Sequence, residues 1–251
     1  MKKILILFFL GNFFTLNINA ESADQVKDCF EGVNRTTFAF NQGLDKVIFK
    51  PLSKAYRHLP VPIRKGTGNI VNNLSNLVTI PNNIFQGDLL KAGTNVARLT
   101  INSTIGILGI FDVATAMGFV DYEKEDYGQT LGVLGVKEGC YLVLPVLGPS
   151  TVRDTVGTLT NFIGGDPWYN VTVRNDTQYF KESDYYVSRG TSGVDFRAKN
   201  IESVDNLKEN SMDFYASVRS LYLQDRQQKI LNSNSVTETQ DDSDWDEVEE
   251  K

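Results

Sequence analysis

Residues 128–154 read GQTLGVLGVKEGCYLVLPVLGPSTVRD, and the organisation of the chain turns on them. Gly128, Gly132, Gly135, Gly139 and Gly148, with Pro145 and Pro149, interrupt an otherwise apolar run. Such spacing demands unusual backbone angles or close backbone approach every few residues. A solvated loop would not carry Leu131, Val133, Leu134, Val136, Tyr141, Leu142, Val143, Leu144, Val146 and Leu147, so other elements or lipid must clasp it. A buried glycine-rich connector inside a plain helical protein is the alternative. The stretch ends in a helix start: Pro149, then Thr151-x-x-Asp154 as a capping pattern, then Val152, Val156, Leu159 and Ile163 at helical spacing. No Gly-x-x-x-x-Gly-Lys run occurs, so no phosphate cradle is expected.

Upstream, Asp88 is the expected N-cap of a helix reaching Phe111. Leu89, Val96, Leu99 and Ser103 form one stripe of it, and Leu90, Ala97, Ile101 and Leu108 another. A helix apolar nearly all round is buried in protein or lipid, which makes Arg98 and Asn102, one turn apart, costly unless partnered. Protein pairing or a phosphate head group would satisfy Arg98 equally well. A short helix is expected over 111–117, and the charged run DYEKED (121–126) should reach water.

Further back, Ile63, Ile70, Leu74 and Leu77 mark a helix expected to stop at Pro81, with a brief helical turn over 81–87. Its asparagines, Asn69, Asn72, Asn73, Asn76, Asn82 and Asn83, give an uncharged polar face, suited to a membrane interface, a wet passage or plain solvent. The first helix carries Val33, Thr37, Phe40, Leu44, Val47 and Ile48 on one stripe and should end before Pro51. Asn34, Arg35, Asn41 and Asp45 lie around its other side, with Arg35 either on a solvated face or paired with a carboxylate inside the fold. A short helix over 52–58 follows. His58, the only histidine, has no partner beside it in sequence and reads as a surface residue. Downstream, Gly164-Gly165-Asp166-Pro167 breaks the chain before a cluster of aromatics. Val194, Ile201, Val204 and Leu207, then Phe214, Val218, Leu221 and Tyr222, imply two amphipathic helices packed back on the body.

Both ends read as separate from the body. Lys2, Lys3, the apolar run 4–10 and Asn19-Ala20 form a signal-peptide pattern, residues 1–20, too short to span a bilayer. From Ser233 to Lys251, eight acids face one lysine, an acidic tail without the apolar content to fold. The helical body is therefore residues 21–232. Without the two lysines of the leader and the charges of the tail, 22 basic residues face 23 acidic ones. A nearly neutral body argues against nucleic acid, which requires a basic face. Cys29 and Cys140 are the only cysteines, and they either pair, closing a loop of about 110 residues worth roughly 4–5 kcal/mol, or remain two buried thiols. No nucleophile elbow, metal-ligand cluster or nucleotide loop is present, so an enzyme such as a phospholipase is disfavoured and no cofactor or metal is expected.

The ordered pieces EGVNR (31–35), FAFN (38–41), KP with KAYR (50–57), RLTINSTIGILGIFDVA (98–114), DYGQTLGVLGV (126–136), YLVLPVLGPSTVRD (141–154), VDFRA (194–198) and YLQ (222–224) resemble the MlaA (VacJ) family over about 28–230. The resemblance implies an all-α, ring-shaped, membrane-embedded helical bundle with a glycine-rich connector, in the inner leaflet of the outer membrane. It implies a retrograde transport system in which this component removes phospholipid from the outer leaflet and passes it to a soluble periplasmic carrier. An outer-membrane porin is the implied partner; a scaffold bound to a porin, without its own lipid passage, is the alternative. Arg35, Asn41, Arg98, Asn102, Arg153 and Asp154 are the candidates for lining a lipid passage or forming structural polar pairs. Two departures stand out. The family's lipobox cysteine is replaced by Ala20-Glu21, which puts an acyl anchor in doubt, and Cys29 and Cys140 occupy two positions where the family carries proline. That double replacement implies a disulfide from the N-terminus to the glycine-rich stretch.

Overall fold

The computed structural model describes residues 26–175 and 177–231; the expected leader, 1–20, and acidic tail, 233–251, lie outside them. The chain starts as one rod: α1 (Glu31–Leu44), a π-helical turn (Asp45–Phe49) and α2 (Lys50–Arg57). Pro51 does not end the first helix as expected. Lys50 N–H reaches back to Asp45 C=O, and this wider turn absorbs the donor that Pro51 lacks. α3 (Val61–Phe85) also runs straight through its proline, Pro81. One missing N–H is a small loss there, because the surrounding turn is held from outside: Thr130 Oγ1 donates to Asn82 Oδ1 at 2.6 Å and Asn95 Nδ2 to Asn83 Oδ1 at 2.9 Å.

Asp88 caps α4 (Leu89–Thr104) by accepting the Lys91 N–H, as its position in sequence suggests. The helix stops seven residues before the expected Phe111. A Cβ on Gly106 would sit 2.2 Å from the Phe111 carbonyl, and Ile107, Leu108 and Gly109 all take positive φ, turning the chain back on itself. α5 (Val113–Ala116) follows, capped by Asp112.

The glycine-rich stretch is no irregular connector. It comprises α6 (Tyr127–Val133), a hairpin of β1 (Tyr141–Leu144) and β2 (Gly148–Thr151) pairing Tyr141 with Thr151 and Leu144 with Gly148, and the start of α7 (Val152–Thr160). Thr151 caps α7 through the Asp154 N–H, so the capping pattern is used. α6 and α7 cross where Gly157 faces Gly128. A Cβ on Gly157 would lie 2.3 Å from the Gly128 nitrogen, so the glycine spacing there serves backbone-to-backbone packing. After π-helical turns over Asn161–Gly165 and Asn170–Arg174, flanking α8 (Pro167–Tyr169), come α9 (Glu182–Lys199), α10 (Ile201–Asn210) and α11 (Phe214–Leu231). The expected pair of closing helices is thus three. The fold is all-α apart from the hairpin.

Its polarity is inverted. Among the described residues, 24 polar or charged side chains are buried against ten hydrophobic ones. Asn82, Asn83 and Asn95 are fully enclosed, while Val33, Val47, Leu90, Leu108 and Ile163 are each at least two-thirds exposed. The apolar stripes of α1, α4 and α7 therefore face largely outward, and the asparagine face of α3, for which a membrane interface, a wet passage and plain solvent were all open, turns inward at Asn73, Asn76, Asn82 and Asn83 while Asn72 stays exposed. The DYEKED run also folds inward, with Glu125 buried beside Gln86. In water each bare Leu, Ile or Val forgoes roughly 1.5–3 kcal/mol of burial; acyl chains return it. No helix among the described residues is long and apolar enough to cross a membrane.

Candidate functional site

The hairpin of the glycine-rich stretch is gripped by α1. Asn34 donates from Nδ2 to the Tyr141 carbonyl (3.0 Å) and accepts the Val143 N–H (2.9 Å), replacing a neighbouring strand. Two turns on, Asn41 donates to the Leu144 carbonyl (2.9 Å) and accepts the Val146 N–H (2.8 Å). Val146 has φ 67°, costly for a β-branched residue, and Asn41 is what holds that turn. The segment before α1 closes the clasp: Lys27 accepts the Tyr141 N–H, Asp28 accepts from Asn34 and Tyr215, and Cys29 is disulfide-bonded to Cys140 with Cα atoms 5.6 Å apart. Asn34→Ala leaves a buried carbonyl and N–H bare, so it should cost roughly 1–3 kcal/mol. Amide exchange at Val143 should speed up relative to α4; unchanged protection there would show that the asparagine does not hold the strand.

The end of the stretch is tied down by charge. Arg153, its side chain 1% exposed, reaches Glu138 (3.0 Å) and Asp154 (3.1 Å). Asp154 also accepts from Tyr222 (2.6 Å) and Arg226 (2.9 Å), and Arg226 forks onto Asp126 at 2.6 and 2.9 Å. One arginine of α11 thereby locks the N-cap of α6 to the first turn of α7. Burial works against ionisation of Asp154, but Arg226, the Tyr222 hydroxyl and Arg153 outweigh it and hold its carboxyl below the usual range.

The third cluster lies between α3, α4 and α5. Arg98, 3% exposed, pairs with Asp112 (2.9 Å) and Asp121 (3.3 Å) and donates to Thr115 Oγ1 and the Phe119 carbonyl. Asn102 donates to Asp112 (2.9 Å) and accepts the Ala114 N–H. Burial again opposes the Asp112 carboxylate, and hydrogen bonds from Thr115 and Asn102 with the charge of Arg98 lower its pKa. Depressed carboxylates stabilise the fold above the ordinary aspartate value near 4, and that contribution is lost as pH falls through the lower folded values. Thermal midpoints should therefore fall as pH drops below about 4, and Asp112→Asn should flatten the decline. A slope identical in that variant would remove Asp112 from the account.

The six candidate residues are not gathered in one place. Asn41 sits at the hairpin, Arg153 and Asp154 at the base of α7, and Arg98 and Asn102 in the third cluster. Arg35 is 43% exposed and forks onto Asp213 (2.7 and 3.3 Å) over the Tyr215 ring, so it pairs with a carboxylate at the surface and not inside the fold. The third cluster opens into a small polar recess bordered by Asn72, Asn73, Asn76 and Lys124. The asparagines at 69, 72, 73 and 76 recur at helical spacing and signal that recess in the sequence. For Arg226 and Lys124 no pattern pointed inward. Among the described residues, no group of three or more His, Cys, Asp or Glu could hold a metal.

Comparison with known proteins bears on what such a body does. Residues 26–229 match the family model for MlaA lipoprotein. The intermembrane phospholipid transport system lipoprotein MlaA of Escherichia coli is 32% identical over 94% of this chain and 92% of its own. Its namesake in Haemophilus influenzae is 29% identical over 88% and 86%. A solved structure from work on the structural basis for maintenance of bacterial outer membrane lipid asymmetry superposes with TM-score 0.67 and 30% identity, covering 80% of this chain and 98% of that one.

Proposed function

The chain belongs to the MlaA lipoprotein family, and from that premise we propose that it is the outer-membrane component of a phospholipid transport system that maintains lipid asymmetry. In this reading it removes phospholipid from the outer leaflet through a wet passage in a ring of helices, hands it to a soluble periplasmic carrier, and sits beside a porin. The inverted polarity carries the proposal: an outside of Val, Leu, Ile and Phe meets acyl chains, and an asparagine-lined inside admits a head group. No covalent chemistry is required of it.

Deleting the chain from its host should raise outer-leaflet phospholipid, measured by labelling intact cells, and photo-crosslinking from Leu90 or Ile163 should capture lipid. A deletion strain with unchanged asymmetry would overturn the reading. A second reading, a porin-bound scaffold, draws on one observation: Arg35, Arg98 and Arg153 are all engaged by protein carboxylates. Lipid crosslinked to the body separates the two.

The outward apolar surface should by itself hold the body on the membrane, since Cys29 is used by the disulfide. Cys29→Ser is expected to stay with carbonate-washed membranes; its release into the wash would show that the cysteine anchors the protein.

A further inference from the structure

The rod that opens the fold carries a basic face in a body whose charges otherwise nearly balance. Between residues 45 and 65, six basic side chains stand against one acid, Asp45. Where α9 and α10 meet this part of the rod they add Arg197 and Lys199 but also Asp195, Glu202 and Asp205, so eight cations face four carboxylates. Lys46, Lys50, Lys54 and Arg57 follow at steps of four, four and three residues and so line one flank. Lys50 is taken by Asp205 (2.7 Å) and Arg57 by Glu202 (2.6 Å). Lys46 and Lys54 are exposed and have no carboxylate at ion-pairing distance among the described residues; Lys54 reaches Asp205 only through its field. Ser53 is buried and donates to the Val194 carbonyl (3.3 Å), while Val47, Ile48 and Leu52 stand exposed on the side turned away. The cations therefore run along the border between a buried side and a greasy one. Where such a greasy strip meets acyl chains, a lysine beside it lays its stem along the apolar surface and lifts its ammonium to the level of the phosphates.

We propose that this flank is a docking surface for anionic glycerophospholipid at the membrane boundary, with Lys46 and Lys54 as its phosphate contacts, and that it seats the rod along the head-group layer. A zwitterionic head group offers a phosphate already accompanied by its own cation. An anionic glycerol head group brings uncompensated charge to two ammoniums that the protein leaves unpaired. Continuity of the greasy strip fixes the occupant: Leu59 and Ile63, also exposed, carry it past α2 into α3, so the lysines border a surface that acyl chains cover and a water-soluble polyanion does not. The inference rests on the membrane seat of the transport reading and adds the charge class of the lipid around it.

The test dilutes the purified full chain out of detergent onto vesicles of phosphatidylcholine alone, or of phosphatidylcholine with one-third phosphatidylglycerol, and measures the share that floats with the lipid. The wild type should bind both and prefer the anionic vesicles, and high salt should erase most of that preference. Each lysine near an anionic surface is worth about fivefold, so Lys46→Gln with Lys54→Gln should cut binding to the anionic vesicles roughly 25-fold and leave binding to pure phosphatidylcholine unchanged. Lys46→Glu with Lys54→Glu should turn the preference toward phosphatidylcholine. A control, Lys181→Gln with Lys229→Gln, removes the same charge elsewhere and should keep most of the preference. Equal binding of the wild type to both vesicles would overturn the docking surface while leaving the transport reading intact. A preference that survives in the Lys46/Lys54 variant, or falls as far in the control, would overturn it too, since net charge alone would then be at work. If the preference appeared only after the acids of 238–250 were replaced by their amides, the chain's own acidic stretch would be the occupant and the proposal would be wrong. No binding to either vesicle would sink the membrane seat and this inference together.

Discussion

Arg226→Ala should lower stability by about 3 kcal/mol, and the loss should concentrate where α6, α7 and α11 meet. Truncating one partner of a buried ion pair costs roughly 3–5 kcal/mol because the other charge stays buried without compensation. Here the two carboxylates differ. Asp126 is 47% exposed and can fall back on water, so its share is small. Asp154 is 7% exposed and cannot, although Arg153 and Tyr222 stay beside it, which places the estimate at the low end of that range. Adding Asp154→Asn to Arg226→Ala should recover part of the loss, since it removes the stranded charge. A single variant within 0.5 kcal/mol of the wild type, as is usual for surface changes, would show that Arg226 counts as no more than a surface charge. Failure of the second substitution to recover anything would instead indicate that the arginine acts through packing beside Gly128, where an added Cβ would meet both Arg226 and Asp154.

Removing the disulfide should have an effect of similar size through a different route. Cys29 and Cys140 are 111 residues apart, and closing a loop that long is worth about 4–5 kcal/mol in the chain-entropy model, with measured losses near 2–5. The single serine variants and the double variant should therefore melt together, because all three lose the same one bond. The native clasp should persist at low temperature. Tyr141 N–H still meets Lys27, Asn34 still meets Asp28, and Arg219 still donates to Val26. Reductant should lower the wild-type midpoint to that of the variants and leave theirs unchanged. A wild type indifferent to reductant, with two thiols titratable in the unfolded chain, would mean that the pairing does not form in the protein.

Much of this was legible in the residues. Asp88 and Thr151 are caps because a short side-chain oxygen just ahead of an apolar run has a bare N–H to satisfy, a local rule needing no knowledge of the partner element. Helical content and the segments shared with the MlaA family are likewise local. One thing the residues could not supply is orientation: periodicity divides a helix into two faces but does not say which face the surroundings will cover. The stripe Val33, Phe40 and Val47 is plain in the residues, but that it is exposed is not.

What only the tertiary structure decided follows from this. Pro51 and Pro81 carry the usual marks of helix ends, but a π turn in one case and hydrogen bonds from Thr130 and Asn95 in the other keep the chain helical, and these partners are far away in sequence. Arg226 is an ordinary charged residue of a closing helix until Asp126 and Asp154, 100 and 72 residues earlier, are brought to it. The amino-acid sequence determined that the body is helical, several helix starts such as those at Asp88 and Thr151, and which face of a helix is greasy, because those depend on neighbours within a turn or two. Which face became the interior depended on assembling asparagines and paired charges from several helices at once, since a buried polar group is affordable only when its partners arrive with it.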